Sequence, residues 1–174
     1  LRNVMRLSGG DEILVFDGQS GEWRASVHIE GRNDCRLQVG DLVRPHEDGP
    51  NLHYLFAPLK RARLDYMVQK AVELGVSALR PVITRRTEVS RVNLDRFHAN
   101  VIEAAEQCGV LRIPTIDEPL SLDKLLDQWD TQRHIFYCDE TADVASPLEA
   151  LEAQKNGSVA VLIGPEGGFD ADES

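Results

Sequence analysis

The apolar residues change their repeat near residue 50, and no other feature of the chain restricts its fold as much. Before that point the repeat is two. Trp23, Ala25, Val27 and Ile29 alternate with Arg24, Ser26, His28 and Glu30, as residues do on the two faces of a half-buried strand. Ile13-Leu14-Val15-Phe16 reads as another strand and stops at Asp17-Gly18, while Gly21, Gly31, Gly40 and Asn33-Asp34 punctuate the segment as turns. Several short strands in about forty residues predict a small β-barrel over residues 1–47. Arg44–Asn51, with two prolines, a glycine and mixed charge, is the expected linker.

From Leu52 strands and helices alternate. Leu52–Ala57, Val76–Ile83, Ile135–Cys138 and Val159–Ile163 read as strands. Leu64, Met67, Val68, Ala71 and Val72 recur at helical spacing and end at Gly75, which suits the left-handed C′ position. Phe97, Val101, Ala104, Ala105 and Cys108 mark a second helix, followed by Gly109, and Leu122, Leu125, Leu126 and Trp129 a third. Ser146-Pro147-Leu148-Glu149 reads as a helix start, with Ser146 as N-cap, Pro147 at N1 and Glu149 completing a capping box. This order predicts an α/β unit with a largely parallel sheet over residues 52–174. Trp23, Trp129 and the cysteines are expected in or near the core.

Charge divides the chain again. The net charge of −10 argues weakly against a nucleic-acid binder. Yet residues 48–115 carry ten Lys/Arg against seven Asp/Glu, whereas residues 116–174 carry three against fourteen. The positives cluster as Lys60, Arg61 and Arg63, then Arg80, Arg85, Arg86 and Arg91. Such an island is either a solvated face or an anion site for phosphates. The longest apolar runs are far too short to span a bilayer, and no secretory signal opens the chain, although its start at Leu1 implies residues upstream. Three cysteines without a CxxC spacing and five histidines without ligand spacing predict no disulfide framework and no metal site. A reducing, cytoplasmic setting follows.

The chemistry concentrates in Val159–Asp170. A five-residue apolar strand runs into Gly164-Pro165-Glu166-Gly167-Gly168, and Asp170 and Glu173 stand where a capping box would open the next helix. Open α/β sheets hold ligands in such strand–glycine loop–helix junctions. Glycines let a ligand approach the backbone and permit positive φ. Glu166 lies where a nucleotide loop would receive phosphate, so the loop suits a hydroxyl, ammonium or adenine amino group instead. Neither GxGxxG nor Gly-Lys-Ser/Thr is present.

Ile163-Gly164-Pro165-Glu166-Gly167-Gly168-Phe169 resembles the signature of the ribosomal RNA small subunit methyltransferase E family. Gln69–Val76, Pro81–Arg86, Glu103–Cys108 with Arg112-Ile113-Pro114, Val4–Leu7 and Phe16-Asp17-Gly18 resemble further motifs of that family, in order along essentially the whole chain. The resemblance implies a PUA-like barrel followed by a SPOUT-type α/β unit. It implies a homodimer that uses S-adenosylmethionine to methylate N3 of one uridine in 16S rRNA of the small ribosomal subunit. The family continues past this loop, through a segment that threads a trefoil knot and completes the cofactor pocket. Residues 1–174 are therefore expected to carry an incomplete knot and to bind the cofactor weakly.

By the same resemblance, cofactor contacts fall on Leu162, Gly164, Pro165, Glu166, Gly167 and Gly168, with Tyr137–Glu140 as a second wall. Lys60, Arg61, Arg63 and Lys70, with Arg6 of the barrel, are the expected RNA contacts, although Lys70 also reads as a solvated helix position. Methyl transfer needs in-line placement and a deprotonated uracil N3. A cation near O2 or O4 would stabilise the anion, and Arg86 and Arg112 are the candidates. Glu106 is the candidate base, or simply part of a helix-end pair with Gln107. Two rivals remain: a non-catalytic RNA-binding adaptor with a degenerate methyltransferase domain, and a nucleotide-binding enzyme, which Glu166 disfavours.

Overall fold

A computed structural model of the chain describes residues 6–31, 34–89, 91–139, 146–154 and 157–173. Val4, Met5, Asn33 and Glu140 from the sequence motifs lie outside the described residues. Two units separate, Leu1–Asp48 and Gly49–Ser174.

In the first unit, β1 (Glu12–Phe16), β2 (Glu22–Ile29) and β3 (Cys35–Arg44) form an antiparallel sheet in the order β1-β2-β3. The period-two pattern of β2 works as its chemistry requires, for Ala25 and Val27 are buried while Arg24 and His28 are exposed. The turn between β1 and β2 is held by Asp17, whose carboxylate accepts from the backbone of Gln19 and Ser20 and from the Ser20 hydroxyl. Among the described residues, this three-stranded sheet stands where the small barrel is expected.

In the second unit, β4 (Leu52–Phe56), β5 (Ala78–Ile83), β6 (Thr115–Ile116), β8 (His134–Cys138) and β9 (Val159–Ile163) form a parallel sheet in the order β6-β5-β4-β9-β8. Short β7 (Leu120–Ser121) extends the upper end of β5. Helices α1 (Arg61–Glu73), α2 (Leu94–Cys108), α3 (Leu122–Asp127) and α4 (Pro147–Glu152) make the crossovers. Successive side chains of a strand point to opposite faces. Tyr54 and Phe56 stack on one face, where Phe56 meets Phe97 of α2 edge-on. Leu55, with Val82, Ala160 and Leu162, packs against Leu122 and Leu125 of α3.

The helix ends follow their residues. Gly75 (φ +78°) and Gly109 (φ +66°) take the left-handed conformation that terminates α1 and α2. The Asn93 side chain caps α2 by accepting from the Arg96 N–H. Two local expectations fail. Pro147 does stand at N1 of α4, but the Ser146 side chain makes no capping hydrogen bond, so the box is absent. Cys35, Cys108 and Cys138 are all exposed: Cys35 opens β3, Cys138 closes β8 and Cys108 is the last residue of α2, each at an element's end. Trp23 and Trp129 are half-buried, Trp129 against the core and donating to the Arg133 carbonyl. No helix among the described residues is long and apolar enough to cross a membrane.

Candidate active site

Strands β4 and β9 lie side by side in register, Phe56 beside Ile163. They belong to opposite halves of the strand order, since the chain leaves β4 for β5 and returns to β9 by way of β8. Crevices at such reversals, outside the carboxyl ends of the strands, are where open α/β sheets hold ligands. The Ala57 N–H donates to the Ile163 carbonyl at 3.0 Å, so the loop after β4 and the glycine loop after β9 start from one point.

The glycine loop is shaped by its own residues. A Cβ on Gly164 would meet the Phe169 ring at 2.5 Å, so glycine is required for the ring to fold back. Gly168 has φ +70° and donates to the Pro165 carbonyl; it is the one of the three loop glycines that uses positive φ. Around Gly167 the nearest group to a built Cβ is Arg86 Cδ at 3.9 Å, which leaves that backbone open to a ligand. Phe169 packs on Tyr137 with ring centroids 4.5 Å apart, and the Tyr137 hydroxyl donates to the Glu173 carbonyl. Half of the expected capping box forms, with Glu173 Oε2 accepting from the Asp170 N–H.

A neighbouring turn completes the crevice. After β5, Thr84 and Thr87 close a four-residue turn through Thr84 N–H to Thr87 Oγ1 at 2.9 Å, placing Arg85 and Arg86 at its tip. Arg86 Nη1 donates to the Gly167 carbonyl at 2.9 Å, and Arg85 Nη1 reaches Asp170 and Asp172. Hydrogen bonds from the Asp172 backbone, then Arg85, hold the Asp170 carboxyl below the usual range. A cavity of about 110 Å³ opens among Leu59, Lys60, Arg86, Glu88, Glu166 and Gly167.

The proposed residues divide by position. Pro165, Glu166 and Gly167 line the cavity, Gly164 and Gly168 shape the loop behind it, and the Leu162 side chain is core with only its backbone to offer. Lys60, Arg61 and Arg63 stand at the start of α1, beside the loop. Lys60 pairs with Glu88 at 2.6 Å, and Arg63 pairs with Glu166. Lys70 lies about 15 Å further along α1, half-buried and bonded to both oxygens of Glu73. Arg6 is exposed in the first unit. Arg86 is at the loop, but Arg112 donates to the Pro50 carbonyl, ahead of β4, and Glu106 sits near the end of α2. Both lie at the amino edge of the sheet, the length of a strand from the loop. Missed by sequence reasoning were Arg85, whose acidic partners lie 85 and 87 residues on, and Asp170 as their shared acceptor. The one available signal was two arginines directly after a buried strand.

The open Gly167 backbone offers a ligand close approach, and Glu166, paired with Arg63, sets a carboxylate on the cavity wall. Among the described residues no cluster of His, Cys, Asp or Glu suits a metal ion. Residues 47–174 match the model of an RNA methyltransferase domain, and residues 1–40 that of an RNA methyltransferase PUA domain. The chain is 27% identical, over 99% of its length and 70% of the relative's, to ribosomal RNA small subunit methyltransferase E of Rickettsia conorii. It is 28% identical to the enzyme of that name from a Synechocystis species, over 99% of its length but only 58% of the relative's. The structure of ribosomal RNA small subunit methyltransferase E from Neisseria gonorrhoeae, bound to S-adenosyl methionine, superposes with a TM-score of 0.81 at 25% identity, covering 99% of this chain and 72% of that one.

Proposed function

The chain belongs to the RNA methyltransferase family of the ribosomal RNA small subunit methyltransferase E type, a PUA-like unit before a SPOUT-type α/β unit, and from that premise we propose its reaction. It methylates N3 of a uridine in 16S rRNA of the small ribosomal subunit, in the cytoplasm, with S-adenosylmethionine as donor. The observation that carries this reading is the Gly164–Gly168 loop at the β4/β9 reversal, open at Gly167 and carrying Glu166 on the cavity wall. When bound, the cofactor supplies a methyl group activated by sulfonium. Backbone groups of Leu162 and the loop hold its polar parts, and Tyr137 with Phe169 walls one side.

In the transfer, N3 gains the methyl carbon as the carbon–sulfur bond breaks, and the N3 proton goes to a base or water. The chain's work is to orient the base and favour its anion. Lys60, Arg61 and Arg63 lie closest to the crevice and grip RNA phosphates, with Arg6 on the first unit and Lys70 further off. Glu106 and Arg112 reach a crevice only if a second copy brings its amino sheet edge to it. A homodimer is therefore part of the proposal. An apolar hollow of about 440 Å³ on the α1 side, lined by Leu52, Tyr54, Met67, Leu74 and Val161, supports it. Leu74 there is 77% exposed.

The test is transfer from labelled S-adenosylmethionine to unmodified small subunits, followed by nucleoside mass spectrometry. N3-methyluridine is expected. RNA binding without transfer would favour the adaptor reading instead.

A further inference from the structure

We infer that Arg85 and Arg86 are positioning residues that clasp the Gly164–Glu173 loop in its ligand-holding form, acting on the cofactor through the loop and not on the RNA. The inference rests on the cofactor reading above. Four carboxylates crowd the last eight described residues of the loop: Glu166, Asp170, Asp172 and Glu173. Like charges so close push the loop apart unless cations intervene.

Each carboxylate is met. Arg63 pairs with Glu166. Arg85 Nη1 bridges Asp170 Oδ1 at 3.2 Å and Asp172 Oδ2 at 2.5 Å, and its backbone N–H donates to Glu173 Oε1 at 2.9 Å. Arg86 reaches Asp170 Oδ2 at 3.4 Å while donating to the Gly167 carbonyl at 2.9 Å. The turn that presents them is itself fixed by the Thr84–Thr87 bonds, so the donors are held in place by backbone geometry. Single exposed ion pairs contribute little. Here several bonds converge on one half-buried carboxylate, Asp170, and on one carbonyl beside the open Gly167. Three of the seven cations read from sequence as an anion-binding island, Arg63, Arg85 and Arg86, are thus counter-ions of the protein's own loop. A further consequence is that cofactor affinity falls as salt rises, because the clasp is made of screened pairs.

The test compares wild type with Arg85→Gln, Arg86→Gln, Arg86→Lys and Asp170→Asn. Amide hydrogen exchange of Gly168 and Glu173, both bonded within the loop, reports the clasp without cofactor. About tenfold faster exchange is expected in the Gln and Asn variants, with partial recovery in Arg86→Lys. In the methylation assay KM for S-adenosylmethionine should rise about tenfold, while kcat at saturating cofactor and RNA stays within about twofold. Unchanged loop exchange would overturn the clasp. So would a kcat loss with unchanged cofactor affinity, which assigns Arg86 to the transition state. Asp170→Asn leaves both arginines in place, so it decides the matter should an arginine variant misfold. If the full-length wild-type protein neither binds cofactor nor transfers methyl, the cofactor reading fails, and exchange still decides the clasp.

Discussion

Phe169 occupies the space where a side chain on Gly164 would stand: a Cβ there lies 2.5 Å from Phe169 Cε2 and 2.8 Å from Cζ. The ring also packs on Tyr137 and against the core, which restricts its retreat. Gly164→Ala is expected to destabilise the second unit by about 1–3 kcal/mol, the usual cost of overpacking, and to weaken cofactor binding by displacing Phe169. Urea unfolding checks the first effect and calorimetry the second. Wild-type stability in this variant would show that the ring moves freely.

His53 gives the chain a pH dependence of known sign. Burial, with Arg133 and Arg80 nearby, lowers its pKa from 6.5 to about 4, and its Nδ1 is buried without a hydrogen-bond partner. The folded state therefore takes up fewer protons than the unfolded one between those values, so stability is full above about 6.5 and declines as pH falls towards 4. Thermal midpoints should fall from pH 7 to pH 5, above the range in which carboxylates titrate. His53→Leu should flatten that slope. An unchanged slope would place the dependence elsewhere.

Two helix starts, each with a capping type of residue before it, should respond differently. Asn93 accepts from the Arg96 N–H at 3.0 Å, whereas Ser146 makes no side-chain cap bond. Asn93→Ala should cost about 1 kcal/mol, and Ser146→Ala almost nothing. Equal losses in denaturant titrations would contradict this contrast.

That contrast also marks what a sequence can disclose. The parallel sheet, the ends of α1 and α2 at Gly75 and Gly109, and the loop after β9 were legible, because each is written in neighbouring residues: apolar period, glycine placement, strand followed by turn. Ser146 carried the right local pattern, yet the bond also depends on how the side chain is oriented at the helix start, and there it makes no capping bond. Arg85 could not be read as a loop brace, since Asp170 and Asp172 meet it only after the sheet has folded. Cys108 continued an apolar stripe, but whether a stripe is covered depends on how far the neighbouring elements extend. For Glu106 and Arg112, motif order placed them near the chemistry, while parallel topology carried them to the opposite edge from Arg86.

That separation can be tested by subunit mixing. Arg86 donates to Gly167 at the carboxyl edge, and Arg112 donates to Pro50 at the amino edge, about 15 Å apart given five strand residues between them. In one chain the loop clasp of Arg86 and the cation of Arg112 cannot serve the same crevice. In a symmetric dimer, each crevice could take Arg86 from one copy and Arg112 from its partner. Arg86→Glu, which sets a fifth carboxylate against the loop and opens its clasp, and Arg112→Glu should then each abolish methylation at sub-saturating S-adenosylmethionine as pure dimers. Unfolded and refolded together in equal amounts, half of the dimers are mixed, and each mixed dimer has one crevice with both arginines intact. About a quarter of wild-type activity should return. If subunits exchange, as native mass spectrometry would verify, and no activity returns, Arg112 has no part in a shared site. If Arg112→Glu alone methylates normally, its assigned role is wrong from the start.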